Sequence, residues 1–344
     1  MSNADIITNA INNSLEIIEQ EREKEIISRR FGLGGHKETL EQIGEMLSIT
    51  RERVRQLEKA ILIRLRIAAE ENKINGLAQA EKIIVRNLTE MGRVARTSDL
   101  SQKILGREAT SVEKANFNFI AEISPVLTIV SENDKYHNAI GIAEYGDEKA
   151  IRTRVDEITS LVKSNKKPIS LDDLDEKLNY EHPSHIEAVA RVSKLLSSLN
   201  NHWGLAKWPT VNPKNIRDKI YVVLEEHKEP MHFSDIAKAI SSSDFKRKDV
   251  TVQAIHNELI KDSRFVLIGR GIYALDSWGF EKGTVSDIIK KTLRKAGAEG
   301  LSRKEIVKQV LKERKVKETT VLLNLQNKKL FTRVGKDHYR LTEK

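Results

Sequence analysis

No cysteine occurs among the 344 residues, which excludes disulfides, thiolate nucleophiles and cysteine-ligated metals and agrees with a reducing compartment. No run of about 18 apolar residues occurs, so no membrane span is expected. The start, MSNADIITNA, lacks a basic segment followed by an apolar one, so no secretory signal is expected. Met1 to Ala4 is compatible with a cloning remnant and is left out of the fold. Aromatics make up 5% of the chain and charged residues 32%. One large core is therefore not expected, and small helical modules with Leu, Ile and Val centres fit better.

Catalytic signatures are missing as well. Gly32-Leu33-Gly34-Gly35 is not followed by a G-x-x-x-x-G-K-[ST] phosphate loop, and no G-x-S-x-G, H-E-x-x-H or EF-hand pattern occurs. His182 and His185 are separated by Pro183 and have no acidic or cysteine partners to complete a zinc set. Asp172 and Asp173 sit at a predicted helix start, where the helix dipole accounts for them. The expectation is a protein that is not an enzyme, with no catalytic residue, metal or cofactor.

What the chain does have is positive charge, unevenly placed. The net charge is +9, yet residues 283–344 hold 17 Lys/Arg against 7 Asp/Glu, a net of +10, leaving −1 for the rest. A basic C-terminal module on a near-neutral body is the footprint of a polyanion partner.

The organising stretch is TLEQIGEMLSITRERVRQLEKAILIRLR, residues 39–66. Leu40, Ile43, Met46 and Leu47 give one helix an apolar face. Ser48 to Thr50 interrupts the pattern, and Thr50 is a good N-cap for a second helix. In that helix Val54, Leu57, Ile61 and Leu65 form the apolar stripe, while Arg51, Glu52, Arg55 and Gln56 point elsewhere. This is how a helix-turn-helix reads DNA, the second helix entering the major groove N-terminus first. Arg can bind guanine O6 and N7, Gln suits adenine, and Glu accepts from cytosine N4. Charge pattern alone also fits a solvated amphipathic face. The turn, the preceding helix and the ordered motif together favour the reader.

From about Glu21 to Arg66 the segment resembles region 4 of the sigma-70 family. Its RRFGL stretch, its TLEQIG helix and above all T-R-E-R-V-R-Q-L-E carry the resemblance. In that family the module binds the −35 promoter element and docks on the β flap of RNA polymerase. Carried over by position, the resemblance assigns base reading to Arg51, Glu52, Arg55 and Gln56, and phosphate contact to Thr39, Arg53 and Arg64. It makes Ser14 to Arg30 the preceding, flap-facing helix. Ala60 and Ile63 stand where the family often has Lys or Arg.

An internal repeat follows. RVARTSDLSQKI (93–104), KPISLDDLDEKL (167–178), EPMHFSDIAKAI (229–240) and EGLSRKEIVKQV (299–310) align without gaps. Each offers a Ser or Thr N-cap candidate, then an acidic and an apolar residue, with a second apolar residue four positions on. A longer amphipathic helix precedes each, over Ala80–Met91, Ile151–Lys163, Ile216–Glu226 and Val285–Lys295. A third follows, over Ser111–Ile123, His185–Leu199, Thr251–Lys261 and Glu318–Lys328. Then come β-prone runs with turn signals at Asn133-Asp134, Gly269-Arg270-Gly271 and Gly335-Lys336-Asp337, the second run being only HWGLAKW. Three helices and a hairpin wing make a winged helix.

The expected fold is therefore mainly α with small β-hairpin wings: a helix-turn-helix module at 5–75 and winged helices at 78–146, 148–210, 213–280 and 283–344. The third resembles the HARE-HTH domain, found also in the delta subunit of bacterial RNA polymerase, most specifically in FVLIGRGIYALDSWG. Tyr273 and Trp278 read as core residues closing that wing, and Trp203 and Trp208 as packing around the second. Arg270 at the wing tip is a phosphate candidate. In the last module Lys315, Lys317, Lys328, Lys329, Arg333 and Lys336 are placed on the third helix and wing, with Lys328, Lys329, Arg333 and Lys336 as phosphate contacts.

The expected function is a bacterial, cytoplasmic and nucleoid-associated transcription factor. It would bind double-stranded DNA at a promoter-like element and contact RNA polymerase at the β flap, with no membrane partner. No aromatic-rich basic helix precedes Ser14, so a strand-melting region is not expected. The alternative is a polymerase-binding interaction factor, delta-like or sigma-competing, with little DNA specificity of its own.

Overall fold

A computed structural model describes residues 2–180, 182–245, 249–335 and 337–342. They form two compact units, Met1–Lys207 and Trp208–Lys344. The first unit opens with α1 (Asn3–Glu16), α2 (Glu21–Phe31), α3 (Leu40–Leu47) and α4 (Arg51–Glu70). A three-helix module follows: α5 (Leu77–Glu90), β1 (Val94–Arg96), α6 (Thr97–Leu105), α7 (Ser111–Ile123), β2 (Leu127–Val130) and β3 (Ala139–Ile142). The next comprises α8 (Glu148–Asn165), β4 (Ile169–Ser170), α9 (Leu171–Leu178), α10 (Pro183–Val192), β5 (Leu196–Leu199) and β6 (His202–Leu205).

The second unit repeats the plan twice. Its first module is α11 (Ile216–His227), β7 (Met231–His232), α12 (Phe233–Ser242), α13 (Val252–Lys261), β8 (Phe265–Gly269) and β9 (Ile272–Leu275). Its second is α14 (Val285–Ala296), β10 (Leu301–Ser302), α15 (Arg303–Glu313), α16 (Glu318–Leu325), β11 (Phe331–Val334) and β12 (His338–Leu341). Each module holds one antiparallel three-stranded sheet, in the orders β1-β3-β2, β4-β6-β5, β7-β9-β8 and β10-β12-β11. The last strand of every wing is central. Its outer neighbour is the short strand just before the second helix, which ties the start of that helix to the wing. The architecture is mainly α with small wings, a helix-turn-helix followed by tandem winged helices.

Several expectations needed correction. Ser14 to Arg30 is not one helix: α1 stops at Glu16, Ile18 turns inward at 3% exposure, and α2 begins at Glu21. Ser2 to Ala4 belongs to the fold, while Met1 lies outside the described residues. Ser2 caps α1 in a capping box with Asp5, and Asn3 Nδ2 donates to Ile104 O at 3.1 Å. The helix expected over His185–Leu199 ends at Val192, and Leu196–Leu199 is a wing strand. Asn200 and Asn201, at φ 47° and 60°, make its turn. Two consecutive positive φ values are what a tight hairpin turn demands, and Asn tolerates them. Asn133-Asp134 does not join the two strands directly, although Asn133 N–H donates to Tyr136 O at 3.1 Å across a local reversal. It lies in the longer link 131–138, where Asn133 Oδ1 accepts from Lys135 and Tyr136 N–H.

The caps of the repeated second helix also differ from expectation. Ser170 and Ser302 cap α9 and α15 as expected. At α12 the cap is His232, whose Nδ1 accepts from Ser234 N–H. At α6 no side chain caps the start, because Thr97 Oγ1 lies 2.8 Å from Asn118 Oδ1 and 2.5 Å from Asn138 Oδ1.

In the first unit the modules share their cores. Ile6, Ile7, Ala10 and Ile11 of α1 and Ile61, Leu65, Ala68 and Ala69 of α4 join Leu88, Leu100, Phe117, Phe119 and Ile120 in one cluster. The third helix α7 is consumed by this packing: it lies on α1, α2 and α4, and Ser111 is its only fully exposed residue. The third helix α10 packs on β1 of the preceding module, leaving only Arg191 fully exposed. Gly92 makes that second seam possible. Its φ is +90°, and a Cβ there would stand 2.4 Å from Ser184 O.

In the second unit Arg314, 4% exposed, joins the two modules. Its guanidinium donates to Leu267 O, Gly283 O and, at 2.9 Å, Glu281 O, while Nε stays buried without a partner. Burial pushes its pKa below the usual guanidinium range. Lys315 N–H donates to Ile268 O of β8 at 3.0 Å. Lys315 therefore belongs to the seam between the modules and not to the third helix or wing of the last one.

Candidate nucleic-acid interface

The helix-turn-helix is assembled by local chemistry. Thr39 and Gln42 form a reciprocal capping box at the start of α3. Its end turns at Ser48, in the left-handed region at φ 53°. Gly44 permits the tight return, since a Cβ there would lie 2.7 Å from Ile49 O. Thr50 Oγ1 then caps α4 by accepting from Arg53 N–H at 3.2 Å. Ile26, Ile43 and Val54 are wholly buried and form a small core of this module's own, with Leu40, Leu47, Ile49 and Leu57 around it. A lone glycine within an amphipathic pattern was the signal for Gly44.

The inward face of α4 is fixed by Val54, Ile61 and Leu65, so its outward face is fixed too. Arg51, Glu52, Arg53, Arg55 and Gln56 are all exposed on the first two turns. Arg51 has no side-chain partner among the described residues. Arg55 and Glu52 form a two-pronged pair, with Nε to Oε2 at 2.8 Å and Nη2 to Oε1 at 2.6 Å. That hydrogen bonding lowers the Glu52 pKa and raises that of Arg55. Gln56 Nε2 donates to Glu52 Oε1, and Arg53 Nη1 to Gln56 Oε1, both at 3.4 Å. Exposed pairs of this kind contribute little to stability, so base edges can replace them at small cost.

The phosphate candidates are dispersed. Thr39 is exposed at the start of α3, and Arg53 beside the base-reading group. Arg64, two turns further along α4, is paired with Glu23 of α2. In the other unit Arg270 is exposed at the tip of the β8–β9 wing, Lys328 and Lys329 between α16 and β11, and Arg333 on β11. Lys336 lies outside the described residues.

The arginines that open the motif have structural partners. Arg22 Nη2 donates to Leu47 O at 2.7 Å, closing the end of α3. Arg29 bonds Glu25 and Glu38, and Arg30 bonds Glu58 of α4 at 3.1 Å. His182, considered as a metal ligand, caps α10 through Nδ1, and His185 is buried. Tyr273 and Trp203, each 3% exposed, are core, and Trp278 packs on Val266, Ile268 and Ala274. No helix of the described residues is long and apolar enough to cross a membrane.

Comparison with known proteins bears on two segments. Residues 20–66 match the family model Sigma-70, region 4, and residues 216–278 match the HARE-HTH family model, a helix-turn-helix domain whose description includes ASXL and restriction endonuclease. The first is therefore a sigma region 4 helix-turn-helix, and the second a HARE-HTH domain. Among curated proteins the chain is 43% identical over 54 residues to RNA polymerase sigma factor sigB of Arabidopsis thaliana, covering 15% of this chain and 9% of that protein. It is 42% identical over 52 residues to RNA polymerase sigma factor SigA4 of Synechococcus elongatus, 15% of this chain and 17% of that protein. The chain thus spans under a fifth of the length of these relatives.

Proposed function

We propose that the chain is a DNA-binding transcription factor that reads a promoter-like duplex element through α4 and has RNA polymerase as its protein partner, at the β flap. The observation that carries this reading is the exposure of Arg51, Glu52, Arg55 and Gln56 on one helix tip whose opposite face is buried, within a sigma region 4 segment. Arg51 and Arg55 would read guanines, Gln56 an adenine, and Glu52 a cytosine. Thr39, Arg53 and Arg64 would hold the adjoining phosphates, Arg64 by leaving Glu23. Arg270, Lys328, Lys329, Arg333 and Lys336 would grip backbone elsewhere. Regulation of transcription fits this chain better than promoter opening.

The test is selection of bound sequences from a random duplex pool, with and without polymerase. Arg51→Ala and Arg55→Ala should each weaken duplex binding by about 1–3 kcal/mol and relax one base preference. A pool that stays unenriched, or substitutions without effect, would end this reading. The burial of α7 and α10 favours a second one, an interaction factor that binds polymerase with little DNA specificity. It expects negligible duplex affinity and polymerase binding that survives both substitutions.

A further inference from the structure

A cleft of about 670 Å³ opens in the first unit, between the helix-turn-helix and the module that follows it. Its walls come from the loop after α2, from α4, from the starts of α6 and α7, and from the link 131–138. The acceptors and donors along these walls are unequally committed. Three carboxylates line it, and each is already engaged: Glu58 by Arg30 at 3.1 Å, Glu132 by Lys194 at 2.6 Å, and Glu122 by Arg66. The donors are not. Lys37 Nζ, Lys114 Nζ, Ser111 Oγ and the His137 ring have no hydrogen bond or ion pair among the described residues. The carboxamides of Asn118 and Asn138 both reach Thr97 Oγ1, at 2.8 and 2.5 Å; its one hydrogen can serve only one carboxamide oxygen, so one amide donates its NH2 to the hydroxyl and the other NH2 is left for the cleft. Ser98 also lines the cleft, on the first turn of α6, where no side chain caps the amides.

We propose that this cleft binds a phosphorylated small molecule of nucleotide size. Two ammonium groups with a set of neutral donors, and no uncommitted carboxylate, is what a phosphate requires. The volume lies in the range of small-ligand sites, roughly 300–1,000 Å³. The local field agrees. Burial first and then the Arg30 guanidinium push the Lys37 ammonium down, against weaker pulls from Glu58, Glu132 and Glu122. Burial and then Arg96 and Lys194 push His137 down, so it is neutral at physiological pH and can donate through one ring nitrogen. Glu122 is pushed up by burial in spite of Arg66. An anionic occupant would relieve the first of these costs.

The site is independent of base reading, although Glu58 and Leu62 on its wall belong to α4. The experiment is calorimetric titration of the intact chain with inorganic triphosphate and with a set of nucleoside triphosphates, at fixed ionic strength. Saturable one-to-one binding is expected, weakened by about tenfold or more in Lys37→Gln/Lys114→Gln and in Asn118→Asp, and unchanged in Arg51→Ala. Circular dichroism identifies which variants are folded, and the single change Asn118→Asp suffices if the double variant is not. No saturable heat at millimolar ligand, or unaltered affinity in a folded variant, overturns the proposal. So does an effect of these substitutions on duplex DNA binding alone, since the donors would then serve nucleic-acid backbone.

Discussion

Helices α7 and α13 occupy the same place in two copies of one fold and are put to opposite uses. In α7 six residues are buried, including Phe117, Phe119 and Ile120, and the helix serves as a wall against α1, α2 and α4. In α13 only Ile255 and Leu259 are buried, while Val252, Gln253, Asn257, Ile260 and Lys261 face solvent. A winged helix recognises ligands with its third helix only if that helix is left free, so the fold name alone does not say which copies can recognise anything. The apolar count of the third helix separates them: FNFIAEI has a second hydrophobic face to bury and VQAIHNELIK has little of one.

The sharpest way to break this contrast is to empty the wall. Phe119→Ala should cost about 3–5 kcal/mol in denaturant unfolding of the first unit. Ile260→Ala, at a residue 64% exposed, should change stability by less than about 0.5 kcal/mol. Similar costs at the two sites would erase the distinction. Next in size is Arg314→Met, which takes the donors from three main-chain carbonyls and should cost about 1–3 kcal/mol. Faster hydrogen exchange at the Lys315 amide would accompany it, and unchanged exchange would mean that the two last modules do not depend on this residue.

A smaller effect sharpens the contrast in charge. Lys328→Gln and Lys329→Gln should each lower the salt slope of duplex binding by about one, whereas Lys163→Gln on α8 should leave it unchanged. The smallest is in acid. Glu113 of α7 is held at about 2 by Arg107 and then by the Thr110 amide. Asp287 of α14 is held at about 2 by the Thr284 hydroxyl and amide. Both folded values lie below the ordinary 4.5 and 3.8. Each carboxylate therefore contributes stability that is complete above its ordinary value and is lost as pH falls through the depressed one. Glu113→Gln and Asp287→Asn should each flatten the fall in stability between those ordinary values and pH 2, measured as melting temperature against pH.

Much of this could be read from residues alone wherever the signal was local. Ser111–Ile123 is a helix with the bounds its periodicity predicts, and Thr50 caps as its side chain suggests. The outward set Arg51, Glu52, Arg55 and Gln56 followed from the stripe Val54, Leu57, Ile61 and Leu65. Legibility failed where partners distant in sequence decided the outcome. Thr97 was a reasonable cap until Asn118 and Asn138 claimed its hydroxyl. Apolar residues ran on past Val192, and only the Asn200-Asn201 pair betrayed a strand in Leu196–Leu199. The cleft had no sequence signature, because Lys37, Ser111, Lys114 and Asn138 meet only after α7 has settled against α2 and α4. Nothing in GLGGHKET marked Lys37 as facing another module.

Strand β8 lies at the rim of its sheet, and Lys315, from the chain beyond the next helix pair, supplies a main-chain donor to Ile268 on that rim. Shuffling of the gene at the natural-looking joint near Gly283 would strip this cover and leave an open strand margin, the surface through which β proteins stick to one another. The last two modules are therefore expected to be inherited, expressed and exchanged as a pair, with the workable cut falling near Lys207 instead.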